Sequence, residues 1–138
     1  MNALNMLIVE DDFFSRTLLS EMLSAYGTLH VAANGEEAVE AVRVALTQKS
    51  PYQLICLDIG LPEMDGHEVL RRIRSLEINH NVSHEKTAKI IIISALQDGD
   101  NILGAFREQC DGYLVKPFDE HRFRALLDEF GFAINPTP

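Results

Sequence analysis

Short apolar blocks alternate along the chain with segments in which apolar residues recur every three or four positions. Five blocks have the length of a strand, and they occupy residues 6–9, 29–32, 54–57, 90–93 and 113–115. The block at 90–93 is uniformly β-branched, which predicts a strand covered on both faces. Because a segment with helical periodicity follows each block, the pattern predicts five strands that alternate with five helices.

Helix-boundary signals support this division. Asn34 with Glu37 three residues later forms a capping-box pattern, and Asp119 can cap the last helix. We expect the first helix to end at Gly27 and the last at Gly131, because glycine commonly follows a helix. The fourth helix is predicted over residues 102–106.

Five strand–helix units without a long insertion predict an α/β fold. The parallel sheet would be covered by helices on both sides, and the flavodoxin-like (βα)5 order 2-1-3-4-5 fits three layers of this size. We assign residues 1–134 to one domain and residues 135–138 to a short C-terminal tail. The polar stretch at 77–89, which contains His80 and His84, is predicted to be a solvated loop.

Composition restricts the functional classes. Of 138 residues, 46% are hydrophobic and 24% are charged, which is typical of a folded globular domain. A net charge of −9 disfavours direct contact with nucleic acid or an anionic membrane. No apolar run is long enough to span a membrane and no secretory signal is evident, so we expect a cytoplasmic protein. Cys56 lies in an apolar block and is interpreted as a core residue.

Polar side chains follow four of the five predicted strands directly. They are Glu10, Asp11 and Asp12 after the first strand, Asp58 after the third, Ser94 after the fourth and Lys116 after the fifth. Carboxyl ends of parallel strands share one edge of a sheet, and ligands bind where the strand order reverses. The sequence therefore predicts one site that combines carboxylates, a hydroxyl and an ammonium group.

Clustered carboxylates need a counter-ion. Two unit charges about 4 Å apart repel by about 4 kcal/mol at an effective dielectric constant near 20. Oxygen ligands favour a hard cation such as Mg²⁺, which binds one or two carboxylates and keeps several waters. With Lys116 and Ser94 available to an oxyanion, the pattern indicates phosphoryl transfer with Asp58 as the nucleophile.

Four sequence blocks resemble the signature blocks of response-regulator receiver domains. They are residues 7–12 (LIVEDD), 58–66 (DIGLPEMDG), 94–95 (SA) and 116–118 (KPF), and the resemblance covers roughly residues 6–130. It implies that Asp58 accepts a phosphoryl group from a phosphohistidine of a histidine kinase or a histidine phosphotransfer protein. It also implies a signalling phosphoacceptor that catalyses only its own phosphorylation and slow dephosphorylation, and not an enzyme with a separate substrate.

The same resemblance implies roles for individual residues. Mg²⁺ would be held by Asp11, by Asp58, by the backbone carbonyl of Gly60 and, mostly through water, by Glu10. Lys116 would pair with the phosphoryl oxygens, and the Lys116–Pro117 peptide bond would be cis. Asp12 is interpreted as the residue that opens the first helix, where a negative charge is favourable.

The resemblance further implies a conformational switch. Ser94 would move toward the phosphoryl group and Tyr113 would turn inward, although Tyr113 could also be a half-buried aromatic on the sheet. Output would pass to a partner protein or a second copy through the face of the fourth helix, fifth strand and fifth helix. That face would contain Phe106, Arg107, Tyr113, His121 and Arg122, while Gly60 and Leu96 would control water access to the phosphoryl group.

Other classes fit the residues less well. A haloacid-dehalogenase-type phosphatase needs a second Asp two residues after the nucleophile, where this chain has Gly60. In a flavodoxin-like electron carrier, the acids at 10–12 would repel the flavin phosphate. A phosphorylation-independent receiver-fold interaction module, or a receiver cut from a hybrid histidine kinase, stays open as an alternative.

Overall fold

The computed structural model of the chain describes residues 4–60, 65–95, 110–117 and 119–134. Its strands are β1 (Leu4–Val9), β2 (Gly27–Ala32), β3 (Leu54–Asp58), β4 (Lys89–Ala95) and β5 (Gly112–Lys116). Its α-helices are α1 (Phe13–Leu23), α2 (Gly35–Thr47), α3 (Gly66–Asn79) and α4 (Glu120–Glu129), and a 3-10 turn spans His84–Lys86. The helix predicted over 102–106 and the tail at 135–138 lie outside the described residues.

The five strands form one parallel sheet in the order β2-β1-β3-β4-β5. This result confirms the predicted fold class and strand order. The order reverses between β1 and β3, which are direct neighbours, so the residues that follow these two strands lie side by side. No helix in the described part of the chain is both long and apolar enough to cross a membrane.

Successive residues of β4 pack on opposite sides of the sheet. Ile90 and Ile92 belong to the core shared with α2 and α3, whereas Ile91 and Ile93 belong to the core shared with α1 and α4. All four side chains are fully buried, which confirms the prediction of a strand covered on both faces. Burial of each such side chain contributes about 1.5–3 kcal/mol, so the two cores hold the central strands rigidly.

The helix starts follow the sequence signals. Asp12 caps α1 by accepting a hydrogen bond from Ser15 N at 2.8 Å, and Asp119 caps α4 through Arg122 N at 2.7 Å. Asn34 accepts from Glu37 N, as the capping pattern predicts. These caps satisfy backbone donors that have no partner inside the helix.

Glycine ends α4 but does not end α1. Gly131 has φ +84° and donates to Asp128 O, as expected for a residue that closes a helix. The prediction for the first helix was wrong, because α1 ends at Leu23 and Gly27 is the first residue of β2. Gly27 is required for another reason: a Cβ there would lie 2.1 Å from the backbone oxygen of Leu4.

Part of the predicted solvated loop at 77–89 is neither loop nor solvated. α3 continues to Asn79, and Glu77 is only 4% exposed. Its carboxylate accepts hydrogen bonds from Ala88 N at 2.7 Å and from the Arg74 guanidinium at 2.9 Å. The prediction was wrong because Glu77 follows Ile73 by one helical turn and therefore faces the core, where Arg74 compensates its charge.

Candidate functional site

Glu10 and Asp58 emerge from the carboxyl ends of the two neighbouring central strands. Although both are acidic, their side chains are almost completely buried, with Glu10 1% and Asp58 4% exposed. A buried carboxylate is costly unless a counter-charge or hydrogen-bond donors compensate it. The partners of these two groups therefore define the site.

Lys116, at the end of β5, is the shared partner of both carboxylates. Its Nζ lies 2.8 Å from Asp58 Oδ2 and 3.3 Å from Glu10 Oε1. The contacts join residues that are 58 and 106 positions apart in the sequence. The structure thus brings together three side chains that the sequence placed at three different strand ends.

Backbone amides hold the remaining carboxylate oxygens. Gly60 N donates to Asp58 Oδ1 at 2.7 Å, and Asp12 N donates to Glu10 Oε2 at 3.2 Å. A Cβ at position 60 would lie 3.3 Å from Asp58 Oδ1, which is tighter than ordinary van der Waals contact. Glycine therefore keeps the approach to Asp58 open.

The electrostatic balance at the site is negative. Burial, and next the hydrogen bond and charge of Asp58, raise the pKa of Glu10 to about 7. Burial opposes the charge of Lys116, but the hydrogen bond and charge of Asp58, followed by those of Glu10, outweigh it and raise the pKa of its ammonium group. One ammonium group between two carboxylates leaves unbalanced negative charge, to which Asp11 adds an exposed carboxylate at the same strand end.

These donors fit a hard divalent cation. The available ligands at these strand ends are carboxylate oxygens, which are the kind of ligand that Mg²⁺ accepts. Among the described residues, no group of three or more His, Cys, Asp or Glu side chains is arranged to hold a metal ion. A cation here would keep several waters, as Mg²⁺ usually does in proteins.

Ser94 is buried beside the same strand ends without a hydrogen-bond partner. It is 0% exposed, and its Oγ contacts no donor or acceptor among the described residues. Ile59 N donates to the carbonyl oxygen of the preceding residue, Ile93, so Ser94 lies next to the segment that follows Asp58. An unsatisfied buried hydroxyl costs about 1–3 kcal/mol, so Ser94 would be stabilised by any hydrogen-bond partner that enters the site.

Tyr113 and Ser94 lie on the same face of the sheet. The register pairs Ile92 with Tyr113 and Ser94 with Val115, and residues two apart on a strand share a face. Tyr113 is 37% exposed, so its ring is neither enclosed in the core nor free in solvent. The Lys116–Pro117 peptide bond is cis, as the sequence analysis predicts.

The remaining residues that were predicted to be functional lie away from the carboxylate site or outside the described part of the chain. His121 and Arg122 are exposed on α4, next to β5 in sequence. Phe106, Arg107, Leu96 and the block at 61–64 lie outside the described residues, so the predictions for them stay predictions.

Phe13 and Phe14 are two aromatic residues that were not predicted from the sequence as notable positions. Both are strongly exposed at the start of α1, directly after the acidic segment. Their exposure could have been inferred from the helical periodicity, because neither residue lies on the buried apolar stripe of α1 that Leu19, Met22 and Leu23 form.

The chain belongs to the response regulator receiver domain family, whose profile matches residues 6–128. It is 36% identical over 126 residues to the transcriptional regulatory protein SrrA of Staphylococcus aureus, covering 88% of this chain and 46% of SrrA. It is 31% identical over 122 residues to the regulatory protein VanRB of Enterococcus faecalis, covering 88% of this chain and 48% of VanRB. The chain thus spans about half the length of these curated relatives.

Solved receiver domains share the fold. The receiver domain of the histidine kinase CKI1 from Arabidopsis thaliana, complexed with Mg²⁺ and BeF₃⁻, is 28% identical with a TM-score of 0.73. That comparison covers 91% of this chain and 90% of the CKI1 chain. The receiver domain of the sensor histidine kinase PA1611 from Pseudomonas aeruginosa, with magnesium in its active-site cleft, is 26% identical with a TM-score of 0.73. It covers 94% of this chain and 99% of the PA1611 chain.

Replacement of Ser94 tests whether its hydroxyl is unsatisfied in the unmodified protein. We expect Ser94→Ala to raise the free energy of unfolding by about 1 kcal/mol, because the variant no longer buries an unpaired hydroxyl. Urea unfolding followed by circular dichroism measures this change. The control is Ser83→Ala, at an exposed serine without a side-chain capping bond, which should change stability by less than about 0.5 kcal/mol. Destabilisation by Ser94→Ala beyond that of the control would show that the hydroxyl has a partner.

Proposed function

We propose that this chain is the phosphoacceptor of a two-component phosphorelay and that Asp58 takes a phosphoryl group from a phosphohistidine. The observation that carries the proposal is the contact of 2.8 Å between buried Asp58 Oδ2 and Lys116 Nζ, with Glu10 on the same ammonium group. This arrangement offers a carboxylate nucleophile beside a cation that can receive phosphoryl oxygens. The donor would be a histidine kinase or a histidine phosphotransfer protein.

The transfer needs one nucleophilic oxygen and compensation for the incoming charge. A carboxylate oxygen of Asp58 attacks phosphorus, the P–N bond of the phosphohistidine breaks, and its electron pair returns to the imidazole nitrogen. Gly60 N orients the carboxylate through Oδ1, while Lys116 can exchange its contact with Oδ2 for a phosphoryl oxygen. The product is an aspartyl phosphate, and no separate substrate is turned over, so the proposal describes a signalling acceptor and not an enzyme in the usual sense.

Mg²⁺ fits the unbalanced charge of the site. Asp11, Asp58 and the carbonyl of Gly60 would bind it directly, and Glu10 would act mostly through water. When bound, the ion supplies neutralisation of the carboxylates and of the phosphoryl oxygens. Burial raises the pKa of Glu10 because it disfavours the ionised carboxylate, and a divalent cation beside Glu10 would offset that penalty by stabilising the ionised form.

The proposed switch depends on the unsatisfied hydroxyl of Ser94. An aspartyl phosphate places three acceptor oxygens near a buried hydroxyl that has no partner among the described residues, so Ser94 gains a hydrogen bond only after phosphorylation. A ligand shifts a conformational equilibrium only through such differential contacts. As Ser94 moves toward the phosphoryl group, Tyr113 turns from the half-exposed position into the space released on the same face.

We further propose that the output is contact with a partner protein or a second copy through β5 and α4, which is the helix predicted from the sequence as the fifth. Tyr113 connects this face to Ser94, and His121 and Arg122 are exposed on it. The alternative of a phosphorylation-independent interaction module is less well supported. Such a module has no need to bury Asp58, Glu10 and their shared lysine together at a cost in desolvation.

Phosphorylation by a small donor tests the assignment of Asp58. With acetyl phosphate and Mg²⁺ we expect intact-protein mass spectrometry to show one added phosphoryl group on the wild type and none on Asp58→Asn. Asp12→Asn is the matched control, because asparagine also caps helices and position 12 is not proposed as a ligand. An adduct on Asp58→Asn equal to that on the wild type would refute the assignment.

Metal binding is testable separately from phosphorylation. We expect MgCl₂ at about ten times its dissociation constant to raise the free energy of unfolding by about 1.4 kcal/mol, because it binds only the folded chain. Asp11→Asn should lose most of this gain, whereas Asp12→Asn should keep it. Thermal unfolding at matched ionic strength measures the effect. Equal stabilisation of Asp11→Asn and the wild type would exclude Asp11 as a ligand.

The switch can be followed through the three tyrosines of the chain. Tyr26 and Tyr52 are buried, whereas Tyr113 is half-exposed. In protein with ¹³C-labelled tyrosine rings, Tyr113 should therefore be the ring most broadened by a soluble paramagnetic agent, with Tyr113→Phe providing the assignment. After addition of beryllofluoride and Mg²⁺ we expect this broadening to fall by at least half. Unchanged broadening of Tyr113 at a saturated site would contradict the inward movement.

A further inference from the structure

A second polar cavity lies at the opposite edge of the sheet from Asp58. This groove, of about 880 Å³, is bordered by the amino ends of β1, β3 and β4, by the 3-10 turn and by the residues that follow α4. Because β3 has five residues, the two edges are separated by roughly 15 Å. The groove is therefore distinct from the site of Asp58, Glu10 and Lys116.

Three of the four lysines in the chain line this one groove. They are Lys49, Lys86 and Lys89, and the fourth lysine is Lys116 at the phosphoacceptor site. Lys49 and Lys86 are exposed and form no ion pair with any described residue, while Lys89 Nζ lies 3.9 Å from Asp111 Oδ1. Glu85 is the one acidic residue in the described lining. The groove is thus locally positive on a chain whose net charge is −9.

Two aromatic rings form the apolar part of the groove. Phe130 and Phe132 lie edge to face with their centroids 5.9 Å apart, and both are only partly buried. Lys89 Nζ lies 5.8 Å from the centroid of Phe130, so a cation and an aromatic ring are presented side by side. Phe132 N donates a hydrogen bond to Leu127 O, which holds the backbone that carries the second ring.

Polar residues complete the lining of the groove. The side chain of Gln53 is held in place because its Oε1 accepts from Asn5 N at 3.0 Å. Ser50 contributes a hydroxyl group. A volume of this size lies within the usual range for small-molecule sites, about 300–1,000 Å³.

We propose that this groove binds a nucleotide, with its phosphates on Lys49, Lys86 and Lys89 and its base against Phe130 and Phe132. Lysine ammonium groups bind phosphate as point charges, and aromatic side chains stack on any base. A small nucleotide suits the groove better than a nucleic acid chain, because the net charge of −9 repels an extended polyanion. The proposal is independent of the function of Asp58.

Isothermal titration of the full chain with ADP, without Mg²⁺ and in EDTA, tests the proposal. We expect saturable one-to-one binding with shifts of the backbone amides of Lys86, Lys89 and Phe132 in ¹⁵N spectra. Pyrophosphate should bind at least about fivefold more weakly than ADP because it lacks the base. Adenosine should also bind more weakly, and raising NaCl from 50 to 300 mM, on the order of a halved screening length, should weaken ADP binding.

Variants separate the contributions of charge and ring. Lys86→Gln combined with Lys89→Gln should weaken ADP binding at least about tenfold, whereas Arg71→Gln combined with Arg72→Gln, on α3, should leave it unchanged. Phe132→Leu should reduce the preference for ADP over pyrophosphate. Thermal unfolding checks that each variant is folded. The proposal is overturned by absence of saturable ADP binding, by equal affinity of the lysine variant and the wild type, or by a glutamate decapeptide that binds the groove more tightly than ADP.

Discussion

The ion pair of Lys116 with Asp58 and Glu10 is the interaction on which the rest of the site depends. Asp58 and Glu10 are buried at the ends of two central strands, and such carboxylates are destabilising unless a cation accompanies them. The cation comes from β5, which reaches Asp58 only because β4 pairs with both β3 and β5. The site therefore exists only when the parallel sheet is complete, and neither the acidic segment nor the lysine can form it locally.

The charges and polar groups at this site are only partly compensated. The uncompensated groups all lie at the same edge of the sheet. One ammonium group serves two carboxylates, the pKa of Glu10 is raised to about 7, and Ser94 Oγ has no partner in the described part of the chain. A core selected for stability alone would contain none of these features, since stability and function commonly conflict. In the proposed function, a divalent cation and a phosphoryl group would together compensate the carboxylates and give Ser94 Oγ a hydrogen-bond partner.

The sequence predicted the features that depend on local periodicity and on strand ends. β-branched runs and capping residues such as Asp119 define elements without reference to the rest of the chain, and the parallel order then brings Asp58 and Lys116 to one edge. The predictions that were wrong concerned residues whose environment is set by tertiary contacts. Glu77 was assigned to solvent because its partner, the amide of Ala88, is brought to it only by folding, and Gly27 was assigned to a helix end because its contact with Leu4 lies across two strands.

The lysine groove was missed for the same reason, since Lys49 comes from one segment, Lys86 and Lys89 come from a second, and the two rings come from a third. Its position has a physical consequence. Strands β1, β3 and β4 connect the groove to the phosphoacceptor edge through residues that are fully buried on both faces, and a close-packed core of this kind does not deform gradually. Any influence of one edge on the other must therefore pass through elements that can adopt two arrangements. Among the described elements, β5 is the best placed, because Tyr113 is half-exposed and Lys116 contacts Asp58. At the other end of the strand, a Cβ at Gly112 would lie only 3.4 Å from the ring of Phe130.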